Sequence, residues 1–188
     1  MKKDKCGYPD RLFGWLDNWI ESAPGYFSYL GEKKIKILDE LAENWKKGDQ
    51  IELLKSMHNN YGNMFADLIE FIMKEKMLIV WNEQSCLCRT HTCKDLVREL
   101  WDSMAELGFE YTATETDEGI QIRCSRCPYN ETVENDDDRK WLYHLFCSGD
   151  PYIVEGFNPQ MGFRRTKTLI EGDSYCDHFY YMRTGSED

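Results

Sequence analysis

Apolar residues recur at three- and four-residue intervals through the first half of the chain and begin to alternate in the second. Ile35, Leu38, Leu41, Ala42 and Trp45 mark one helical face, and Gly48 stands where a residue past the helix end would close it. Asp49 predicts the N-cap of a further helix carrying Leu53, Leu54 and Met57. From Asn63 onward, Met64, Phe65, Leu68, Ile69, Ile72, Met73 and Val80 form a wide stripe on a longer helix. Thr92-Cys93-Lys94-Asp95 has the form of a capping box with Asp in the acidic position. The apolar run from Leu96 through Trp101 to Leu107 then stops at Gly108.

Beyond Gly108 the period shortens. Tyr111–Thr116 and Ile120–Arg123 flank Asp117-Glu118-Gly119, which predicts a hairpin. Asn135-Asp136-Asp137-Asp138 suits a helix N-terminus, since carboxylates favour the positive end of the helix dipole. That helix carries Trp141, Leu142, Leu145 and Phe146 and ends near Cys147-Ser148-Gly149-Asp150-Pro151. A loop rich in Gly and Pro leads to a last strand pair, Phe163–Leu169 and Tyr175–Met182, joined by Glu171-Gly172-Asp173. The expectation is an α+β fold in a single domain over 1–188. Its helical part runs to about 108 and packs on a mainly antiparallel sheet, with one more helix, from about 109–188.

Composition narrows the partners. The 188 residues hold 23 basic and 34 acidic side chains, a net charge of −11 that repels nucleic-acid phosphates and anionic lipid headgroups. Neither nucleic acid nor a membrane is expected, and no apolar run approaches the roughly 18 residues of a membrane span. The start, Met1-Lys2-Lys3-Asp4-Lys5-Cys6-Gly7-Tyr8-Pro9, is basic but lacks the apolar stretch of an export signal. A cytoplasmic protein follows, with its eight Cys as reduced thiols.

Four groups of residues bear chemistry. If Tyr175–Met182 is a strand, Cys176, His178, Tyr180 and Met182 share one face, and Asp177, Phe179 and Tyr181 the other. Polar groups among aromatics on both faces suit a strand lining a pocket; the plainer alternative is a small buried thiol and a satisfied core histidine. Arg165 and Lys167 would project together from the preceding strand, either as a carboxylate clamp or as charges guarding an edge. Cys147 lies at a helix C-terminus, where the dipole disfavours a thiolate, so activation needs a His or Arg from elsewhere. Finally, Cys124-Ser125-Arg126-Cys127 has metal-pair spacing. Cys147 with Cys176, or the Cys86-Leu87-Cys88 and His91-Thr92-Cys93 cluster, would have to complete a zinc site.

Cys147-Ser148-Gly149-Asp150, Gly156-Phe157-Asn158-Pro159, Phe163–Leu169 and Glu171-Gly172-Asp173 before Cys176-Asp177 together resemble the L-2-amino-thiazoline-4-carboxylic acid hydrolase family. The resemblance is specific over about Cys147–Tyr180. It implies hydrolytic opening of a small cyclic amidine- or amide-type substrate that carries a carboxylate, with no required cofactor. Carried onto this chain, it makes Cys147, Asp150, Cys176 and His178 candidates for catalysis, and Asn158, Arg165 and Lys167 candidates for substrate binding. That family is in turn distantly similar to 4-vinyl reductase-like ligand-binding domains, some of which hold zinc through Cys. A non-catalytic sensor, with Cys124 and Cys127 as metal ligands, is therefore the alternative. The aromatic residues Trp15, Trp19, Tyr26, Phe27 and Tyr29 serve either as core or as the interface of a homo-oligomer.

Overall fold

The computed structural model describes residues 14–183, so the basic start of the chain and Cys6 lie outside the described residues. The helices come first: α1 Asp17–Tyr26, α2 Glu32–Asn44, α3 Gln50–Tyr61 and α4 Asn63–Ser85. Their apolar faces meet in a common core in which Leu16, Leu38, Leu41, Trp45, Leu54 and Phe65 are fully buried. Phe27 joins that core, whereas Tyr26 and Tyr29 are exposed. The helix starts follow the capping residues. The Asp49 carboxylate accepts the Glu52 N–H at 3.0 Å, and Thr92 with Asp95 forms a reciprocal capping box at the head of α5 Cys93–Val97. The Thr90 hydroxyl and then the Thr92 groups bonded to Asp95 hold its carboxyl down to about 2 against the effect of burial. One π-helical turn at Arg98–Asp102 joins α5 to α6 Ser103–Glu106, and Gly108, at φ 95°, closes the segment.

Four antiparallel strands follow, in the spatial order β1-β2-β4-β3: β1 Glu110–Glu115, β2 Gly119–Arg126, β3 Met161–Arg164 and β4 Cys176–Met182. The architecture is α+β, with helices leading and an antiparallel sheet in the C-terminal half. Between β2 and β3 the chain forms α7 Asp136–Leu142, capped by the Asn135 side chain on the Asp138 N–H, then a π-helical turn at Tyr143–Cys147 and α8 Asp150–Phe157. Asp138 is also the buried partner of Lys55 on α3. Although burial works against its charge, the Lys55 hydrogen bond holds its pKa below the ordinary value. No helix among the described residues is long and apolar enough to cross a membrane.

Two expectations are corrected. The Gly- and Pro-rich stretch after Cys147 is not a loop: Pro151 takes the first turn of α8, where its missing N–H costs nothing. The third strand also ends at Arg164, so Arg165 and Lys167 do not project from one strand face. They lie on a long connection in which Gly172, at φ 95°, makes the expected Glu171-Gly172-Asp173 turn.

Gly156 explains how α8 sits so near α4. A Cβ at this position would lie 2.8 Å from the Leu78 carbonyl oxygen and 3.1 Å from Leu78 Cα, both backbone atoms that cannot swing aside. Gly156→Ala should therefore push α8 off α4 and lower the unfolding free energy by about 1–3 kcal/mol in a urea titration. A change within error would mean that the two helices tolerate separation.

Candidate active site

The alternation of β4 turns Cys176, His178 and Tyr180 to the buried face of the sheet, with His178 7% exposed. The register of β2 against β4 then sets Cys124 directly opposite Cys176, Ile122 opposite His178 and Ile120 opposite Tyr180. Three influences converge on the Cys176 sulfur. The Cys124 thiol, 3.1 Å from the Arg126 carbonyl, faces it as a hydrogen-bonding neighbour across the strand pair, the Leu169 backbone N–H points at it from 3.2 Å, and His178 stands two residues along the same face. Together they outweigh burial and bring its pKa down to about 7, with the Cys124 hydrogen bond the largest influence. Cys124 pays for this in kind: its hydrogen bond to Cys176, with burial, pushes its own pKa up, so one thiol of the pair keeps its proton.

A second set of groups comes from the far side. Asp150, the first residue of α8, accepts a close hydrogen bond from the Arg165 guanidinium and lies 3.1 Å from His178 Nε2. Arg165 also donates to the Cys147 carbonyl at 3.1 Å and to the Tyr143 hydroxyl at 3.1 Å. Burial alone would disfavour the charge of this cation, and Asp150, together with Cys147 and Tyr143, more than restores it. With Nε2 donating to the carboxylate, His178 Nδ1 carries the lone pair. That atom is buried and has no hydrogen-bond partner among the described residues.

Cys124, Cys127, Cys147, Cys176, Asp150, Arg165 and His178 all line one cavity of about 60 Å³, roofed by Trp101, Tyr129 and Phe146. Trp101 donates through its indole N–H to Tyr180 at 3.1 Å and packs edge-on to His178, fixing the strand's aromatic and imidazole rings. Cys147 and Cys127 are not activated there. Burial raises both thiols, Cys127 to about 12 and Cys147 well above its ordinary value, although Arg165 pulls Cys147 the other way.

Two candidate residues stand elsewhere. Asn158 ends α8, where its amide donates to the His91 carbonyl at 2.8 Å and its oxygen accepts the Gln160 N–H. Lys167 reaches the Tyr175 hydroxyl at 3.1 Å and lies over that ring, outside the cavity. The Cys86, Cys88 and Cys93 cluster is spread from the end of α4 to the start of α5 and does not reach the cavity. Among the described residues no group of three or more His, Cys, Asp or Glu side chains has a geometry that could hold a metal ion.

Sequence reasoning passed over three contributors: Cys124 as the cross-strand neighbour of Cys176, Tyr143 as a prop for Arg165, and the Leu169 N–H. The alternating run Ile120, Ile122, Cys124 carried a signal for the first, because its period matches that of β4 across the pair. If Cys124 lowers the Cys176 pKa, Cys124→Ala should move the pH midpoint of iodoacetamide alkylation of Cys176 upward, from about 7 towards the ordinary thiol value. At pH 7 the rate should fall by about tenfold or more, whereas Cys124→Ser, which keeps a donor, should stay near the parent. An unmoved midpoint in Cys124→Ala would leave the thiol pair without influence on reactivity.

No curated protein matches the chain. The family profile described as L-2-amino-thiazoline-4-carboxylic acid hydrolase matches residues 30–180, far beyond the C-terminal motifs, from just before α2 into the last strand. With most of its length and every element of the thiol cavity inside that match, the chain belongs to the L-2-amino-thiazoline-4-carboxylic acid hydrolase family.

Proposed function

We propose that the protein is a cysteine-dependent hydrolase that opens a C–N or C–S bond in a small cyclic amidine- or amide-type substrate, with Cys176 as the nucleophile. The observation that carries this reading is a single thiol lowered to about 7 in a small cavity, on the same strand face as a histidine paired with a half-buried carboxylate. Thiolates are the reactive form of cysteine, and a His–Asp pair beside one supplies and removes protons. Family membership supports hydrolysis at the level of the class.

In this reading the Cys176 thiolate adds to the amidine or acyl carbon, and the electron pair released from the double bond settles on the attached heteroatom. His178 Nδ1, having taken the Cys176 thiol proton as the thiolate forms, delivers it to the departing ring atom and then takes one from the water that attacks the same carbon. Breaking the bond to Cys176 returns the thiolate, and one water has been consumed. Asp150 holds the imidazole by Nε2, which leaves Nδ1 for this exchange, and Arg165 hydrogen-bonds Asp150 from its other side. Arg165 lines the cavity and in this reading is the cation that faces the reacting end of the substrate. The Cys147 carbonyl anchors the guanidinium, so that residue acts by positioning. Zinc has no part in this scheme, and the reaction is placed in the cytoplasm, where thiols stay reduced.

The test is incubation with 2-amino-thiazoline-4-carboxylate and related cyclic amidines, following loss of the ring by absorbance and the Cys176 peptide by mass spectrometry. Turnover accompanied by a covalent adduct on Cys176 supports the reading. Tight binding of such ligands without turnover would favour the sensor-like alternative.

A further inference from the structure

A cavity of about 60 Å³ has room for a reacting group and little else. A second, larger hollow of about 520 Å³ adjoins it, and the two share Leu100, Met104, Phe109, Tyr129, Phe146 and Asp150 as lining. Its outer wall is apolar and open to solvent: Trp15, Val80 and Leu107 are 41%, 41% and 45% exposed there. Exposed large apolar side chains gathered around one hollow mark a binding surface more often than scattered ones do. The volume lies in the range of small-molecule sites, about 300–1,000 Å³.

One cation enters this largely apolar wall, which also holds the shared Asp150. Lys76 of α4 lines the hollow, with its ammonium 5.2 Å from the Trp15 ring and 5.4 Å from the Trp19 ring. It forms no ion pair among the described residues, although acidic side chains outnumber basic ones 34 to 23 in the chain. Burial lowers its pKa, the sign of a cation held partly out of water without a carboxylate to offset the loss.

We infer that the hollow receives the non-reacting arm of the substrate: an apolar chain or ring ending in an anion that meets Lys76, while the reacting carbon reaches Cys176. The inference rests on Cys176 marking the reacting end, and it adds a substrate class, an amphipathic carboxylate larger than a bare thiazoline ring. The continuity of lining between the two cavities argues for one extended ligand. Trp15 lines the hollow beside the apolar stem, and with Trp19 it orients the ammonium by cation–π attraction.

Two measurements test it. The first is the alkylation rate of Cys176 by iodoacetamide, by an N-phenylalkyl iodoacetamide, and by the same reagent with a terminal carboxylate. The phenylalkyl arm should accelerate modification about tenfold, and the carboxylate should add a further severalfold that disappears in Lys76→Met. Equal rates across the series, with Cys176 still reacting, would overturn the inference and leave the thiol reading standing. The second is calorimetric binding of 4-phenylbutanoate to the Cys176→Ser protein, which needs no reactive thiol. Binding weakened about tenfold by Lys76→Met supports the arm site even if Cys176 proves inert. Absence of binding, or a dimer that Val80→Glu dissociates, would assign the hollow to a segment of chain or to a second copy and reject the inference.

Discussion

Cys176→Ser should reduce kcat/KM by about 10³-fold or more on any substrate that the protein turns over, with the fold intact. A hydroxyl two residues from a histidine lacks the low pKa that the thiol has here, and removing a nucleophile costs orders of magnitude rather than a small factor. Cys147→Ser, in the same cavity, should cost far less, because burial keeps that thiol protonated. The contrast between the two variants is the sharp part of the expectation. The parent should also show an acid limb in kcat/KM. A thiol whose pKa is lowered to about 7 is inactive when protonated, so the rate rises as pH increases through about 7 and then levels. If Cys176→Ser keeps near-parent kcat/KM, or Cys147→Ser loses as much, the assignment of the nucleophile fails.

The second large effect falls on stability. Asp150 is the common partner of Arg165 and His178, and the Arg165 side chain is only 8% exposed. Asp150→Ala would strand a buried guanidinium without its carboxylate, a change that costs about 3–5 kcal/mol in comparable buried pairs. Arg165→Met in the same background removes the stranded charge and should recover a good part of the loss. A urea double-mutant cycle reads the coupling directly. A loss below about 1 kcal/mol in Asp150→Ala, or no recovery in the double variant, would show that the pair does not hold α8 to the loop after β3. Activity should be absent from Asp150→Ala at any temperature, since His178 would lose the contact on Nε2.

What the sequence disclosed depended on range. Asp49, Thr92 with Asp95, and Asn135 announce helix starts because capping is settled within three residues. The alternation of Cys176, His178 and Tyr180 announced one face of a strand for the same reason. Helix α8 was hidden because Pro151 and Gly156 read as loop residues, and both are explained only by position: one in the first turn, the other against the backbone of α4. The Asp150–Arg165 pair and the opposition of Cys124 to Cys176 depend on tertiary register, which no local pattern encodes. Lys76 carries no local signal of its own on an amphipathic helix. Only the packing of Trp15 and Trp19 around it separates it from the others.

The opposition of Cys124 and Cys176 also bears on when the protein acquires its chemistry. The two residues are 52 positions apart (176 − 124), and the strands that carry them are joined through α7, α8 and β3. Closing so long a loop is entropically slow, and contacts of this kind form late on a folding route. A nascent or partly folded chain therefore carries Cys176 as an ordinary thiol, with neither the Cys124 donor nor the Leu169 N–H beside it. Reactivity at neutral pH becomes a property of the finished fold, and the rate of Cys176 alkylation serves as a clock for the last step of its assembly.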